Sequence, residues 1–308
     1  MADSIKEMGF AGLGRMGGNM AARLLKNSKI KVTVWNRSPE PVKEAVKKGA
    51  AASKDMKDLV GRLKGKRKAV WLMLPAGNVT EQYFQELLRL LNKGDILIDG
   101  GNSNIHDTLR RHKEAEKRGI LMLDIGVSGG IVAATRGYAM MAGGSKEAYY
   151  FVEPAISAMC MKEGYSYMGE GGAGHYVKMV HNAIEYGMMQ AIAEGFDLLK
   201  NGRFKNLDLG KIAHLWNHGT IVTSFLMEMS ESALKNNGNE LSKLEPWVDD
   251  SGEGQWAAQE ALEFQVPFVA NAYALHTRRI SRKKADYAYK MLAAIRNEFG
   301  AHAVKTKK

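Results

Sequence analysis

The sequence predicts an α/β domain followed by an all-α domain. Three observations carry this expectation: a short strand-like run enters the glycine cluster Gly12-Leu13-Gly14-Arg15-Met16-Gly17; strand and helix patterns alternate from there to about Gly169; and from Gly174 onward long runs of three-to-four apolar spacing take over. A chain of 308 residues accommodates both domains, with the boundary expected between 172 and 173.

The first strand runs from Glu7 to Leu13, and Asn19 to Leu25 has helical character. Strand, glycine turn and helix in this order form the dinucleotide-binding turn of a Rossmann-type domain. The first glycine makes the tight turn, the second lets the backbone approach a pyrophosphate, and the third packs helix against strand, with the helix N-terminus facing the anion. Gly12, Leu13, Gly14, Arg15, Met16 and Gly17 are therefore candidate cofactor-binding residues. The second strand, Lys31 to Trp35, ends in Asn36-Arg37-Ser38-Pro39, with a helix opening at the proline. An acidic residue here would hold the ribose 2′-hydroxyl of NAD, whereas Asn36, Arg37 and Ser38 suit a 2′-phosphate. NADP is the expected cofactor and NAD the less favoured one, although the same residues also read as a helix cap.

Ala69 to Leu74 is a buried-strand pattern ending at Pro75-Ala76-Gly77, followed by a helix from Val79 to Leu91. Ile96 to Asp99 leads into Gly100-Gly101-Asn102-Ser103 and a charged helix to about Arg118; Leu121 to Val127 leads into Ser128-Gly129-Gly130. Open parallel sheets bind ligands beyond the carboxyl ends of their strands, so these polar and glycine-rich ends are the informative residues. Two further strands, Gly137 to Gly144 and Gly164 to Gly169, flank a helix from Lys146 to Met159. Helices are then expected over Tyr176–Lys200, Asp208–His218, Ser224–Lys235, Ala257–Phe264 and Val269–Phe299, with loops at Asn236 to Asn239 and Asp249 to Gly254.

Composition narrows the function classes. The content of 45% hydrophobic and 25% charged residues is that of a soluble globular protein, and no apolar run approaches the roughly 20 residues needed to cross a bilayer. No signal peptide is legible at the N-terminus. The single cysteine, Cys160, excludes an intrachain disulfide and a multi-cysteine metal site, which points to a reducing cytoplasm. The net charge of +11 suits steering of phosphorylated ligands as well as nucleic acid. Its densest clusters, Lys64 to Lys68, Arg278 to Lys284 and Lys305 to Lys308, lack an interleaved aromatic platform, so neither nucleic acid nor membrane is an expected partner. The eight histidines show no ligand spacing with carboxylates, and no metal is expected.

The stretch from Gly172 to Tyr186 opens the helical domain. Lys178, Asn182 and Glu185 fall at i, i+4 and i+7, so an amine, an amide and a carboxylate line up on one face beside His181 and Tyr186. Such a stripe reads either as a proton-transfer site or as a solvated face.

Together with the glycine turn, Asn36-Arg37-Ser38, Ile98 to Ser103, Val127 to Gly130 and Arg296 to His302, this stretch resembles the 6-phosphogluconate dehydrogenases over nearly the whole chain. The combination Gly-His-x-Val-Lys-Met-Val-His-Asn-x-Ile-Glu-Tyr is the specific part; the glycine turn is shared by many dehydrogenases. The resemblance implies oxidative decarboxylation of 6-phospho-D-gluconate to ribulose 5-phosphate, a step of the pentose phosphate pathway. It assigns Lys178 as base and then acid, and Glu185 as the acid that protonates carbon 1. A lysine base must be neutral at working pH, and burial can lower a lysine to roughly 7 to 8. The likeness further implies that Asn102, Ser128, Gly129, Gly130, His181 and Asn182 hold the sugar acid, and that Tyr186 and Arg278 contact its phosphate. Arg296 and His302 would complete the site of a neighbouring subunit in a homodimer or homotetramer. Leu74, Pro75, Ala76 and Asn102 would lie on the cofactor side. The chain resembles the short form of the family, without the second helical repeat of long members. It also carries Ser251 and Glu253 where those have lysine and threonine, and an acidic Glu253 is a poor phosphate ligand, which leaves the Asp250 to Trp256 loop outside the expected site. A 3-hydroxyacid dehydrogenase of the 3-hydroxyisobutyrate type is the alternative; it would share the glycine turn, Ser128-Gly129-Gly130 and the lysine, but not the His181-Asn182 and Glu185-Tyr186 combination.

Overall fold

The computed structural model describes residues 4–282, 287–288 and 290–291, and the chain forms two compact units, the first ending at His181 and the second beginning at Asn182. In the first unit, strands β1 (Glu7–Ala11), β2 (Lys31–Trp35), β3 (Ala51–Ala52), β4 (Ala69–Leu72), β5 (Ile96–Asp99), β6 (Leu121–Ser128), β7 (Tyr138–Gly144) and β8 (Cys160–Gly169) form one sheet in the order β3-β2-β1-β4-β5-β6-β7-β8. The pairings from β3 through β6 are parallel; β7 runs antiparallel to β6 and parallel to β8. Helices α1 (Gly17–Asn27), α2 (Pro39–Lys47), α3 (Met56–Arg62), α4 (Asn78–Leu90), α5 (Ile105–Lys117), α6 (Ala133–Arg136) and α7 (Lys146–Met159) connect them.

The central strands are apolar almost throughout because both of their faces are covered. Alternate residues feed two cores: Phe10, Trp71, Ile96, Ile98 and Leu123 belong to one, and Val70, Leu72, Leu97 and Met122 to the other. Phe10 and Trp71 stack across β1 and β4 at 5.8 Å. From β1 the chain winds outward to β2 and β3, then returns to place β4 on the other side of β1, so strand order reverses between β1 and β4. A ligand crevice is expected beyond the carboxyl ends of those two strands.

The sequence reading missed β3, α3 and α6, all short. The Asp55 carboxylate accepts the Asp58 N–H and starts α3. Strand β8 begins at Cys160 and not at Gly164, with register shifts along β7 and a positive φ of 62° at Glu163. Burial pushes the Cys160 thiol up to about 12, which makes it an inert core residue.

Helix α8 (Ala173–Asn201) starts in the first compact unit and runs on into the second. The second unit continues with α9 (Leu209–Trp216), α10 (Phe225–Asn237), α11 (Glu253–Glu263) and α12 (Val269–Arg282). Its core is small: Leu209, Ala213, Met227 and Leu234, with Ile192, Phe196 and Trp216 packed against them. Helix α11 begins four positions before the expected Ala257, because Gly252, at φ 104°, supplies the turn that the run Ser251-Gly252-Glu253-Gly254 needs to enter a helix. The expected end of the last helix at Phe299 lies outside the described residues. Among the described residues, no helix is long and apolar enough to cross a membrane.

Candidate active site

The carboxyl edge of the parallel strands carries every strand-end residue singled out from the sequence. At the β1 end the three glycines have separate physical reasons. Gly12 has φ +98°, and a Cβ there would meet the Met73 carbonyl oxygen at 2.2 Å; a Cβ on Gly17 would meet the Gly12 carbonyl oxygen at 2.0 Å. Gly14 is exposed, and a Cβ on it would meet nothing within 4 Å. The protein's own packing thus requires Gly12 and Gly17, while Gly14 leaves open space beside the N-terminus of α1, where a pyrophosphate would sit. The cradle fits an NAD(P) dinucleotide.

Asn36 secures this turn to β2. Its Oδ1 accepts the Leu13 N–H at 2.9 Å and its Nδ2 donates to the Ser38 carbonyl at 3.0 Å, so both ends of the amide serve the loop. Ser38 occupies the N-cap of α2 without a side-chain capping bond, and Arg37 is exposed beside it. Arg15 and Met16 follow Gly14 into α1, while Leu74, Pro75 and Ala76 leave the end of β4 across the crevice from them.

The first turn of α8 is seated on β6 and β7 by glycines and one carboxylate. A Cβ on Gly174 would meet the Asp124 carbonyl oxygen at 2.3 Å, and one on Gly126 would meet the Lys178 Cβ at 2.3 Å. The lysine stem therefore lies directly on the β6 backbone. Asp124, fully buried on β6, accepts the Gly172 and His175 N–H groups at 2.8 Å each, and His112 Nε2 lies 2.7 Å from its Oδ1. Burial alone would raise the Asp124 carboxyl, but the His112 hydrogen bond and the His175 and His112 charges hold it below the ordinary carboxylate value.

A depressed carboxylate contributes stability that is present above its unfolded value, about 3.9, and is lost as pH falls through the lower folded value. Asp124→Asn is expected to cost on the order of 3 kcal/mol at pH 7, since the amide NH2 would replace one of the two buried acceptor oxygens and face a backbone N–H donor. The deficit relative to wild type should shrink as the wild-type carboxylate protonates. Urea melts of both proteins between pH 7 and pH 3 check this; a deficit independent of pH would contradict it.

From that seat, Lys178 is half-buried, and its Nζ is hydrogen-bonded to His181 Nδ1 at 3.3 Å; His181 Nε2 is in turn 3.2 Å from Ser128 Oγ at the end of β6. Amine, imidazole and hydroxyl form one connected polar chain at the strand ends. Gly129 and Gly130 follow with φ of 118° and 57°, and a Cβ on Gly130 would meet nothing within 4 Å, which leaves backbone accessible to a ligand. Asn102 is exposed in the loop after β5.

In the second unit, Glu185 is half-buried on α8, and Tyr186 is buried. The Arg278 guanidinium lies over the Tyr186 ring at 3.6 Å from its centroid and donates to the Asp249 carbonyl at 2.9 Å. Glu253, 1% exposed, accepts the Asn182 amide at 2.7 Å, and the Ser251 N–H donates to the Tyr186 hydroxyl at 3.4 Å. The Asp250 to Trp256 loop, set outside the site from sequence, thus touches Asn182 and Tyr186, with Asp249 just ahead of it bound to Arg278. Its exclusion treated Glu253 as a would-be phosphate ligand, whereas the carboxylate serves the neighbouring amide. Gly254 is the signal that was available: a Cβ there would meet the Tyr186 ring at 2.8 Å. Arg296 and His302 lie outside the described residues.

Two family models match the chain: the NAD binding domain of 6-phosphogluconate dehydrogenase over residues 7–169, and the C-terminal domain of 6-phosphogluconate dehydrogenase over residues 174–307. An NAD(+)-dependent, decarboxylating 6-phosphogluconate dehydrogenase of Haloferax volcanii is 38% identical over 302 residues, covering 98% of this chain and 99% of the relative. The decarboxylating enzyme of Lactococcus lactis is 39% identical over 294 residues, but this chain spans only 62% of its length. Among solved structures, the 6-phosphogluconate dehydrogenase of Plasmodium falciparum, described in apo form, with NADP+ and with 6-phosphogluconate, superposes with a TM-score of 0.81 at 30% identity, covering 98% of this chain and 66% of that one. Both domains match along their length, and relatives above 30% identity span nearly the whole chain: the protein belongs to the 6-phosphogluconate dehydrogenase family.

Proposed function

We propose that the protein oxidises 6-phospho-D-gluconate and releases carbon dioxide from it, forming ribulose 5-phosphate, with NADP as the preferred acceptor. The observation that carries this reading is the Lys178–His181–Ser128 chain at the carboxyl edge of the sheet that bears the dinucleotide turn. Lys178 takes the proton from the substrate hydroxyl that is oxidised. The nicotinamide, when bound, supplies the hydride acceptor. Protonated Lys178 then donates to the new 3-keto oxygen, so that the electron pair of the breaking bond to the carboxylate is drawn onto that oxygen as carbon dioxide leaves. Glu185 gives a proton to carbon 1 of the resulting enediol. His181, Ser128, Asn102, Asn182 and the Gly129-Gly130 backbone orient the hydroxyls and carboxylate, and Tyr186 and Arg278 take the phosphate. Arg296 and His302 complete a neighbouring subunit's site in a homo-oligomer.

Turnover of 6-phosphogluconate and of 3-hydroxyisobutyrate should be measured side by side with each cofactor. Activity on the phosphorylated sugar acid alone is expected; turnover of 3-hydroxyisobutyrate alone would sink the reading. NADP preference rests on Arg37 and Ser38, with the Plasmodium falciparum structure holding NADP+ and the Haloferax volcanii relative named NAD(+)-dependent. Arg37→Asp is expected to raise the KM for NADP about 10- to 100-fold, the worth of a charge-assisted contact, while changing that for NAD a few-fold at most. An unchanged ratio of the two would remove the 2′-phosphate assignment.

A further inference from the structure

We infer that His175 is a positioning residue for the oxidation step, tying the strand end that leads to Asn102 to the helical turn that carries Lys178. The inference rests on the role of Lys178 proposed above. His175 is 3% exposed, its Nδ1 is 2.8 Å from Thr108 Oγ1 on α5, and its Nε2 is 3.1 Å from the Asp99 carbonyl oxygen at the end of β5. A carbonyl only accepts, so hydrogen bonding assigns a proton to Nε2.

Asp99 is the common point. Its carboxylate accepts the Gly101 N–H at 3.0 Å, the Ser103 hydroxyl at 2.9 Å and Arg111 Nη1 at 3.0 Å, with Asp99 and Arg111 each 1% exposed. That carboxylate fixes the turn on both sides of Asn102, and the carbonyl of the same residue receives His175. The glycine contacts of α8 with β6 set how deep the helix sits, but a smooth glycine contact permits sliding and rotation. The Asp124 carboxylate ties the Gly172 and His175 N–H groups to β6, and the His175 ring, one helical turn before Lys178, adds the directional bonds to α5 and to the end of β5. Depth from glycine, the tie to β6 from Asp124 and the tie to β5 from the histidine ring together place the amine relative to Asn102.

The test compares His175→Leu with His175→Gln, whose amide can still donate to the Asp99 carbonyl. Misplacement by about 1 Å can cost 10²-fold. His175→Leu is therefore expected to lose about 10- to 100-fold in kcat, with the KM for 6-phosphogluconate within about threefold of wild type, and His175→Gln to recover most of the loss. Amide hydrogen exchange over residues 172–177 reads the tie without any turnover: exchange should quicken in His175→Leu and return toward wild type in His175→Gln. Wild-type kcat in His175→Leu, equal impairment of the two variants, a loss confined to KM, or unchanged exchange would each overturn the inference. If His175→Leu does not fold, Thr108→Val removes the Nδ1 partner, along with that hydroxyl's bond to the Asn104 carbonyl within α5, and leaves the Nε2 bond in place; a smaller kcat loss at constant KM is expected, and unchanged kcat would overturn it. If exchange responds to His175→Leu as expected while the wild-type protein itself does not turn over 6-phosphogluconate, the functional reading and not the tie is what has failed.

Discussion

Lys178→Met is expected to lower kcat by about 10³- to 10⁴-fold, at the upper end of what one proton-transfer group contributes. Methionine keeps the unbranched stem that lies on Gly126, so the packing of α8 on β6 survives while the amine is lost. The thermal melt and the affinity for the dinucleotide, read by fluorescence titration, should therefore stay close to wild type. No burst of reduced cofactor should appear on rapid mixing, because the substrate hydroxyl keeps its proton. Activity within tenfold of wild type would remove Lys178 from the chemistry and return the polar stripe of α8 to a solvated face.

Glu185→Gln should lower kcat by about 10²- to 10³-fold by a different route. Glu185 stands seven residues beyond Lys178 on α8, two turns along the same helix face. If it acts only after carbon dioxide has left, the variant still oxidises bound substrate once. Stopped-flow absorbance should then show a burst approaching one reduced cofactor per active site, followed by slow turnover. A missing burst would place Glu185 in the oxidation itself, contrary to its proposed role as the acid at carbon 1.

The sequence was most informative where function depends on local backbone. The turn from Gly12 to Gly17 is recognisable because its glycines stand at fixed spacing between a strand and a helix: Gly17 answers to the Gly12 carbonyl within that unit and Gly12 turns at φ +98°, although the Met73 carbonyl it packs on is distant in the chain; the strand ends follow from the repeated apolar runs. The groups that hold the site together were not legible, since the partners that tie α8 to the sheet are distant in the chain. Asp124 caps a helix starting about fifty residues later, and Asp99 joins Arg111, Ser103 and His175. The one local hint was a buried aspartate in each of two strands, Asp99 at the end of β5 and Asp124 within β6. Glu253 shows the opposite difficulty: its chemistry was judged against a phosphate when its partner is Asn182, a relation that only folding of the second unit reveals. Arg296 and His302 stay a proposal from family likeness.

The central claim is oxidation coupled to decarboxylation, and one stoichiometry tests it most directly. With 6-phosphogluconate labelled in its carboxyl carbon, the account predicts one labelled carbon dioxide released for each NADPH formed, and neither product from the Lys178→Met protein. Reduced cofactor formed without release of the label would contradict it.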